Sequence, residues 1–553
     1  MPKVYVFSIC FFLICLTSLG QNKYFVYFKD KANTEYSLSK PEEFLSNRSI
    51  NRRKTQSIAL TQRDLPPNKS YVSQIKNAGV KVLYTSRWMN AVLIETTESK
   101  LNTVKNLSFV KGVESNGDIR GLRNSTDQYL KARESTKFGV EDHYEYGTSK
   151  IQIDMLGVNK MHQKGFTGKG ILIGVLDSGF KNANTLSFFT HLFQENRVID
   201  TYDFVNKERS VYEDDSHGTA VLSCMAASEQ GRIIGTAPEA SYALLRTEDV
   251  NSETRIEEVY WLIAAEYSDS LGVDVINSSL GYNTFDNASQ NYSYQDMNGD
   301  KSIVSRAADW AVAAGIIVVV SAGNEGNKTW KYISTPADAD SVISVGAVDA
   351  GTNYAAFSSI GPSSKGSIKP ELAARGASTA IGTFANTVSV SNGTSFSSPL
   401  MAGMVAGLKQ AFPQFTAMEL RDFMIRSGSQ YTKPDVYLGY GIPNFEKAAD
   451  LAQKALDLVE LEKVIKDSGK DMIVFPNPVT DFSNLSVYIS KKTEPKELFR
   501  VKLFDSQGKL LWEDDKDSKL FSLPAELSAL PAGVYQLKVH NDQLNLNSRI
   551  VKE

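Results

Sequence analysis

A chain of 553 residues, 42% of them hydrophobic, has room for three or four domains of about 150 residues each and ample material for a large core. Its net charge of −3 offers nothing to a nucleic acid, so no nucleic-acid partner is expected. Of its three cysteines only Cys224 lies beyond the first twenty residues, which excludes an intramolecular disulfide in an exported product.

Residues 1–20 carry Lys3, an apolar stretch from Val4 to Leu19 and small residues at Ser18 and Gly20, the pattern of a secretory signal peptide cut before Gln21. Cys10 and Cys15 lack the preceding small residue of a lipid-attachment box and leave with it. No later segment is long and apolar enough to span a membrane, so no stable membrane insertion is expected.

Residues 21–120 read as a small α+β unit. Strands are expected at Tyr24 to Phe28, Val80 to Tyr84, Ala91 to Glu95 and Val110 to Glu114, with helices from Tyr71 to Ala78 and Ser99 to Asn106. The polar stretch 121–149 reads as a linker.

Residues 150–451 alternate strands and helices, which predicts a three-layer α/β domain with a mainly parallel sheet. The apolar run Ile171 to Leu176 predicts a buried strand ending on Asp177. Forty residues on, His217 stands where a polar loop gives way to an apolar helix, the only one of five histidines so placed. Cys224, seven residues further, shares that helix face; it is either a reactive neighbour or, as free cysteines usually are, a small buried hydrophobe. Ile316 to Val320 predicts another buried strand, running into Ser321-Ala322-Gly323-Asn324. Finally Gly393-Thr394-Ser395-Phe396-Ser397-Ser398-Pro399 opens a helix expected from about Leu400 to Phe412, with Pro399 in its first turn.

Serine and threonine are ordinary helix caps, and alone this last motif says little. A serine hydroxyl is a poor nucleophile at neutral pH, however; it needs a base, and the base needs a carboxylate to fix its tautomer. Asp177, His217 and Ser395 supply one of each, and a helix N-terminus favours a developing oxyanion.

With their flanks and their order Asp, His, Ser, these motifs resemble those of the subtilisin-like serine peptidases. Gly235-Thr236-Ala237-Pro238, Phe357 to Pro362 and Lys369-Pro370-Glu371 add to the likeness, with Glu371 where aspartate is common and Arg375 where proline is common. The resemblance implies a peptidase working through an acyl-enzyme, in which Ser395 attacks, His217 moves the proton, Asp177 orients His217 and Asn324 donates to the oxyanion. It also implies that Val275 to Gly281 pairs with substrate. Ser279, Leu280 and Gly281 would face Ala322 and Gly323 across the primary pocket, whose floor comes from residues just before Pro336. Protein or peptide substrates follow, and no cofactor. Residues 21–120 then resemble the propeptide of such zymogens, removed by a cut in 121–149. The rival reading is a silent relative that keeps the fold and binds a partner.

Asp296 to Asp300 places oxygens at alternate positions as a calcium loop does, but its glycine comes one place early for an EF-hand and no glutamate follows at the twelfth position, so a solvated turn and no metal site are expected. Residues 452–472 read as a charged helical connector. From residue 473 to 553 short alternating strands read as a β-sandwich. The strings Val474 to Val479, Val501 to Lys509, Leu530 to Val539 and the closing Arg549 to Lys552 resemble the C-terminal sorting domain of the type IX secretion system of Bacteroidota. That resemblance implies the secretion machinery as a partner and an extracellular or surface-attached product; a carbohydrate- or protein-binding sandwich is the alternative.

Overall fold

The computed structural model describes residues 22–115, 144–468, 471–489 and 498–553. The expected signal peptide and most of the expected processing region lie outside them. The chain divides into two compact units, residues 1–450 and 451–553.

The first unit begins with an antiparallel four-stranded sheet. Its strands are β1 (Asn22–Phe28), β2 (Lys81–Ser86), β3 (Ala91–Thr96) and β4 (Val110–Ser115), in the order β2-β3-β1-β4. Helices α2 (Lys69–Asn77) and α3 (Glu98–Lys105) lie in the same stretch, and Ile75, Leu101 and Val104 join Val26, Val92 and Ile94 in one core. Every expected element of this region is present to within two residues. One was not foreseen: α1 (Asn47–Thr55), capped by the Ser46 side chain accepting from the Ser49 amide. Instead of an apolar stripe it buries Ser49, Arg52 and Arg53.

Seven parallel strands form the centre of the α/β region that follows: β5 (Leu172–Asp177), β6 (Val198–Asp203), β7 (Ser241–Arg246), β8 (Val275–Ser278), β9 (Ile317–Ser321), β10 (Ile343–Val348) and β11 (Leu372–Arg375). Their order is β11-β10-β9-β8-β5-β7-β6. All six residues of β5 are buried, as a central strand covered on both faces requires. The flanking helices include α4 (His217–Ala226), α5 (Ile256–Leu271), α6 (Ile303–Ala313) and α7 (Thr394–Ala411). Helix α7 corrects the expected start at Leu400. It begins six residues earlier, so Ser395 sits in its first turn and Pro399 lies inside it. Small side chains along α7 let nearly its whole length be buried.

Helix α5 carries the N-terminal region. Glu257 and Glu258 in its first turn suit the positive end of the helix dipole, whereas Asp269 near its other end does not. That carboxylate is fully buried and ion-paired with three guanidinium groups, those of Arg52 and Arg53 from α1 and of Arg87 from the β2–β3 turn. Nearby, Glu266 accepts from the Ser86 hydroxyl and from the backbone amides of Arg87 and Trp88.

The second unit has two antiparallel sheets. One comprises β12 (Met472–Phe475), β13 (Ser486–Ile489) and β16 (Leu520–Ser522); the other comprises β14 (Phe499–Phe504), β15 (Leu510–Lys516), β17 (Gly533–His540) and β18 (Asn545–Lys552). Phe482, Val487, Val501, Leu503, Leu537 and Ile550 share its core. Of the charged stretch expected as a connector, residues 452–468 lie within a helix running Phe445–Ser468, and Met472 already belongs to β12. No helix among the described residues is long and apolar enough to cross a membrane.

Candidate active site

Asp177 ends β5 with its side chain fully buried. Its Oδ1 accepts from the Ser178 amide at 2.8 Å and lies 2.7 Å from Nδ1 of His217. Oδ2 has no hydrogen-bond partner among the described residues. His217 opens α4, and its own amide donates to Asp215 Oδ2 at 3.0 Å. Burial works against the Asp215 charge, but hydrogen bonds from Ser178 and from the His217 amide outweigh it and hold the carboxyl below its ordinary range. The next residue must be small: a Cβ on Gly218 would stand 2.4 Å from the Gly179 carbonyl and 3.0 Å from Asp177 Cβ. Only glycine lets α4 approach the end of β5 so closely.

Ser395 approaches from the other side. It is the second residue of α7, 8% exposed, and its Oγ donates to the Ser279 carbonyl at 3.3 Å. The Ser279 hydroxyl returns the bond, donating to the Ser395 carbonyl at 2.8 Å. Proline at 399 explains why that carbonyl is open to it, since the missing N–H four residues on removes its intrahelical donor. The His217 and Phe396 rings stand 6.0 Å apart, which brings the α7 start beside the histidine.

Asn324, half-buried after β9, has its amide oriented by threonine: Oδ1 accepts from the Thr394 amide at 2.9 Å and from its hydroxyl at 3.0 Å. Its Nδ2 is left over Gly393, 3.6 Å from where a Cβ would be there. The same threonine hydroxyl accepts from the Gly323 amide at 3.1 Å. Gly323 has φ of +108°, and a Cβ there would stand 2.8 Å from Ser359 Oγ and 3.2 Å from Ser334 Oγ. Gly281 faces the same Ser334: a Cβ there would stand 3.1 Å from Ser334 Cβ. Ser279 and Ala322 are buried and Leu280 half-buried on the flanks. All nine expected site residues therefore lie on segments leaving the C-terminal ends of β5, β8 and β9 or at the N-termini of α4 and α7. Ser334 is one of the residues just before Pro336 expected at the pocket floor. Sequence reasoning missed Thr394, whose hydroxyl ties the two halves of the site; a threonine beside a serine at a helix start carries no separate signal.

Cys224 lies on α4 fully buried, and burial raises its thiol pKa strongly, so it takes the role of a small core hydrophobe. In the expected calcium-like loop, the Asp296 carboxylate accepts from Ser293 and Asn298 Oδ1 from the amides of Asp300 and Lys301, so these oxygens satisfy the loop's own backbone.

A parallel sheet that delivers an aspartate to a histidine at one helix N-terminus, with a serine at another, is the frame of an α/β serine hydrolase. Residues 168–441 match the subtilase family (Peptidase S8), residues 23–132 the Peptidase S8 propeptide domain of Bacteroidota and residues 473–553 a secretion system C-terminal sorting domain. The chain is 31% identical over 300 residues to subtilisin DY of Bacillus licheniformis, covering 54% of this chain and 97% of that one. It is 31% identical over 327 residues to subtilisin NAT of Bacillus subtilis subsp. natto, covering 58% and 77%, and 27% identical over 398 residues to the serine protease AprX of Bacillus subtilis, covering 65% and 79%. The chain belongs to the subtilase family. It is a secreted serine endopeptidase made as a zymogen, with a sorting domain for the type IX secretion system.

Proposed function

We propose that Asp177, His217 and Ser395 form the catalytic triad of this peptidase and that hydrolysis proceeds through an acyl-enzyme on Ser395. The observation that carries the reading is the 2.7 Å contact between His217 Nδ1 and the buried Asp177 Oδ1. A carboxylate there keeps the proton on Nδ1 and leaves Nε2 as the base. Ser395 Oγ turns from the Ser279 carbonyl to His217 Nε2, gives up its proton and attacks the scissile carbonyl. His217 returns that proton to the leaving amine, and water then repeats the sequence on the ester.

As the carbonyl becomes tetrahedral, its oxygen gains charge between Asn324 Nδ2 and the Ser395 amide. Thr394 holds the asparagine in that orientation beforehand, so little reorganisation is needed when the charge forms. Ser279, Leu280 and Gly281 pair with the acyl side of an extended peptide. The side chain of the residue whose carbonyl is attacked enters between Gly281 and Ala322–Gly323, over Ser334. Activity begins once the chain is cut within 121–149 and the N-terminal region leaves. No step calls on a cofactor. The test is covalent labelling of the processed protein with a fluorophosphonate probe beside a Ser395→Ala control: labelling of the wild type alone supports the triad, and labelling of neither overturns it in favour of a silent binding protein.

A further inference from the structure

Ser334 and Thr335 are laced through the main chain to both of the glycine-bearing segments beside the serine. Thr335 exchanges backbone hydrogen bonds with Tyr282, the residue after Gly281, at 2.8 and 3.2 Å, and the Ser334 amide donates to the Ala322 carbonyl at 3.2 Å. Ser334 thus stands between Gly281 on one side and Gly323 on the other. Any movement of this pair changes the spacing of the two segments.

What fixes the pair lies behind it. The fully buried Thr335 hydroxyl contacts the hydroxyls of Ser302 and Ser305 at the start of α6, the latter at 2.5 Å. Ser302 is the N-cap of that helix, accepting from the Ser305 amide at 2.9 Å. Ser305 in turn donates to Asp338 Oδ1 at 2.5 Å, and Asp338 Oδ2 accepts from the Gly299 amide at 2.8 Å. A serine hydroxyl has one proton to give. With that of Ser305 given to the carboxylate, its oxygen is left to accept and the Thr335 hydroxyl becomes the donor. Asp338 therefore sets the direction of the chain of hydrogen bonds that ends on Thr335.

Asp338 is completely buried. Burial raises its pKa, while the Ser305 and Gly299 hydrogen bonds and the charge of Lys369 favour its ionised form. The Lys369 ammonium acts through charge alone, its hydrogen bonds going to the Ala339 carbonyl at 2.6 Å and to Glu371 at 2.7 Å. A carboxylate held inside on neutral donors is sensitive to the loss of any one of them, and a satisfied network of this kind rigidifies what it touches.

We propose that Asp338 is a positioning residue of this peptidase: through Ser305 and Thr335 it holds Ser334 at a fixed distance from Gly281 and Gly323, and so governs how the residue before the scissile bond is seated. The proposal rests on the triad assignment above, which defines where that residue lies.

The experiment uses enzyme secreted from cells expressing the full chain, as wild type, Asp338→Asn, Thr335→Val, the double variant and Thr335→Ser. Asparagine keeps the size of aspartate but sets its NH2 group against the Ser305 hydroxyl or the Gly299 amide. Valine removes the threonine hydroxyl, and serine keeps it. Chromogenic peptides that differ only in Ala, Leu or Phe before the scissile bond are compared by kcat and KM, beside the rate of fluorophosphonate labelling and the melting temperature. The expected result is that Asp338→Asn and Thr335→Val each change the ratios of kcat/KM among the three peptides by about fivefold or more, with labelling changed less than cleavage. The double variant is no worse than the single ones, and Thr335→Ser stays close to wild type. Should Asp338→Asn not be secreted, Ser305→Ala, which parts the carboxylate from Thr335, decides in its place. A lowered melting temperature with wild-type ratios overturns the proposal in favour of a purely structural role. Multiplying losses in the double variant overturn it too, because the two residues then act separately, as does labelling that falls in step with cleavage of all three peptides. Absence of labelling in the wild type overturns the triad and the proposal with it.

Discussion

Ser279 and Ser395 exchange hydrogen bonds: the hydroxyl of each donates to the carbonyl of the other, at 2.8 Å from Ser279 and 3.3 Å from Ser395. In the proposed mechanism one bond is broken as Ser395 turns to His217, while the other persists, and it is the one that serves a carbonyl deprived of its helical donor by Pro399. Ser279→Ala leaves that buried carbonyl unsatisfied, at a cost of about 1–3 kcal/mol. It also frees the first turn of α7 to shift relative to the strand that holds substrate. The expected outcome is a modest fall in melting temperature together with a fall in kcat exceeding any rise in KM. Ser279→Thr, which keeps the hydroxyl, restores much of the loss. Steady-state kinetics and thermal unfolding of the two variants check both parts.

In the proposed mechanism Asn324 contributes differently, because Thr394 orients its amide through the oxygen and the nitrogen serves the oxyanion. Asn324→Ala should therefore lower kcat by about a hundredfold to a thousandfold with KM little changed, the pattern of a donor used only in the transition state. Thr394→Val removes the hydroxyl that accepts from Gly323 and donates to Asn324. It should reproduce a part of the same loss although it touches no substrate. Pre-steady-state acylation rates on a chromogenic peptide distinguish this from slower product release.

Most of this arrangement was legible in the sequence because it sits at boundaries. A carboxylate ending an apolar run, a histidine where polar loop turns into apolar helix and an asparagine after five aliphatic residues all announce themselves by a change of texture. The α7 start was misread by six residues for the same reason inverted: four of the five residues from Thr394 to Ser398 carry hydroxyls, and a proline suggested a first turn, whereas burial of those small hydroxyls lets the helix begin at Thr394, just after the glycine. Helix α1 left no trace in the pattern because it docks through arginines rather than an apolar face, and its partner Asp269 is 216 residues from Arg53 in sequence.

Asp269 gives the zymogen a pH dependence whose direction follows from its surroundings. Burial opposes its ionisation, but Arg87, Arg52 and Arg53 outweigh burial and bring its pKa down to about 2, below the value of about 4 for an unfolded chain. A depressed carboxyl stabilises the folded form fully above the unfolded value and loses that contribution as pH falls through the folded one. In a Ser395→Ala background, which prevents self-cleavage if the triad assignment holds, the full chain with Asp269→Asn should be less stable at pH 6 by about 3–5 kcal/mol. The three guanidinium groups then remain buried with no counter-charge from α5. The gap between it and the Asp269 chain should narrow as pH drops from 4 towards 2, where Asp269 itself becomes neutral. Thermal unfolding of the two proteins across that range is the measurement. A gap constant with pH would mean that the carboxylate acts through packing alone, and a gap that widened on acidification would contradict the sign derived from its three arginines.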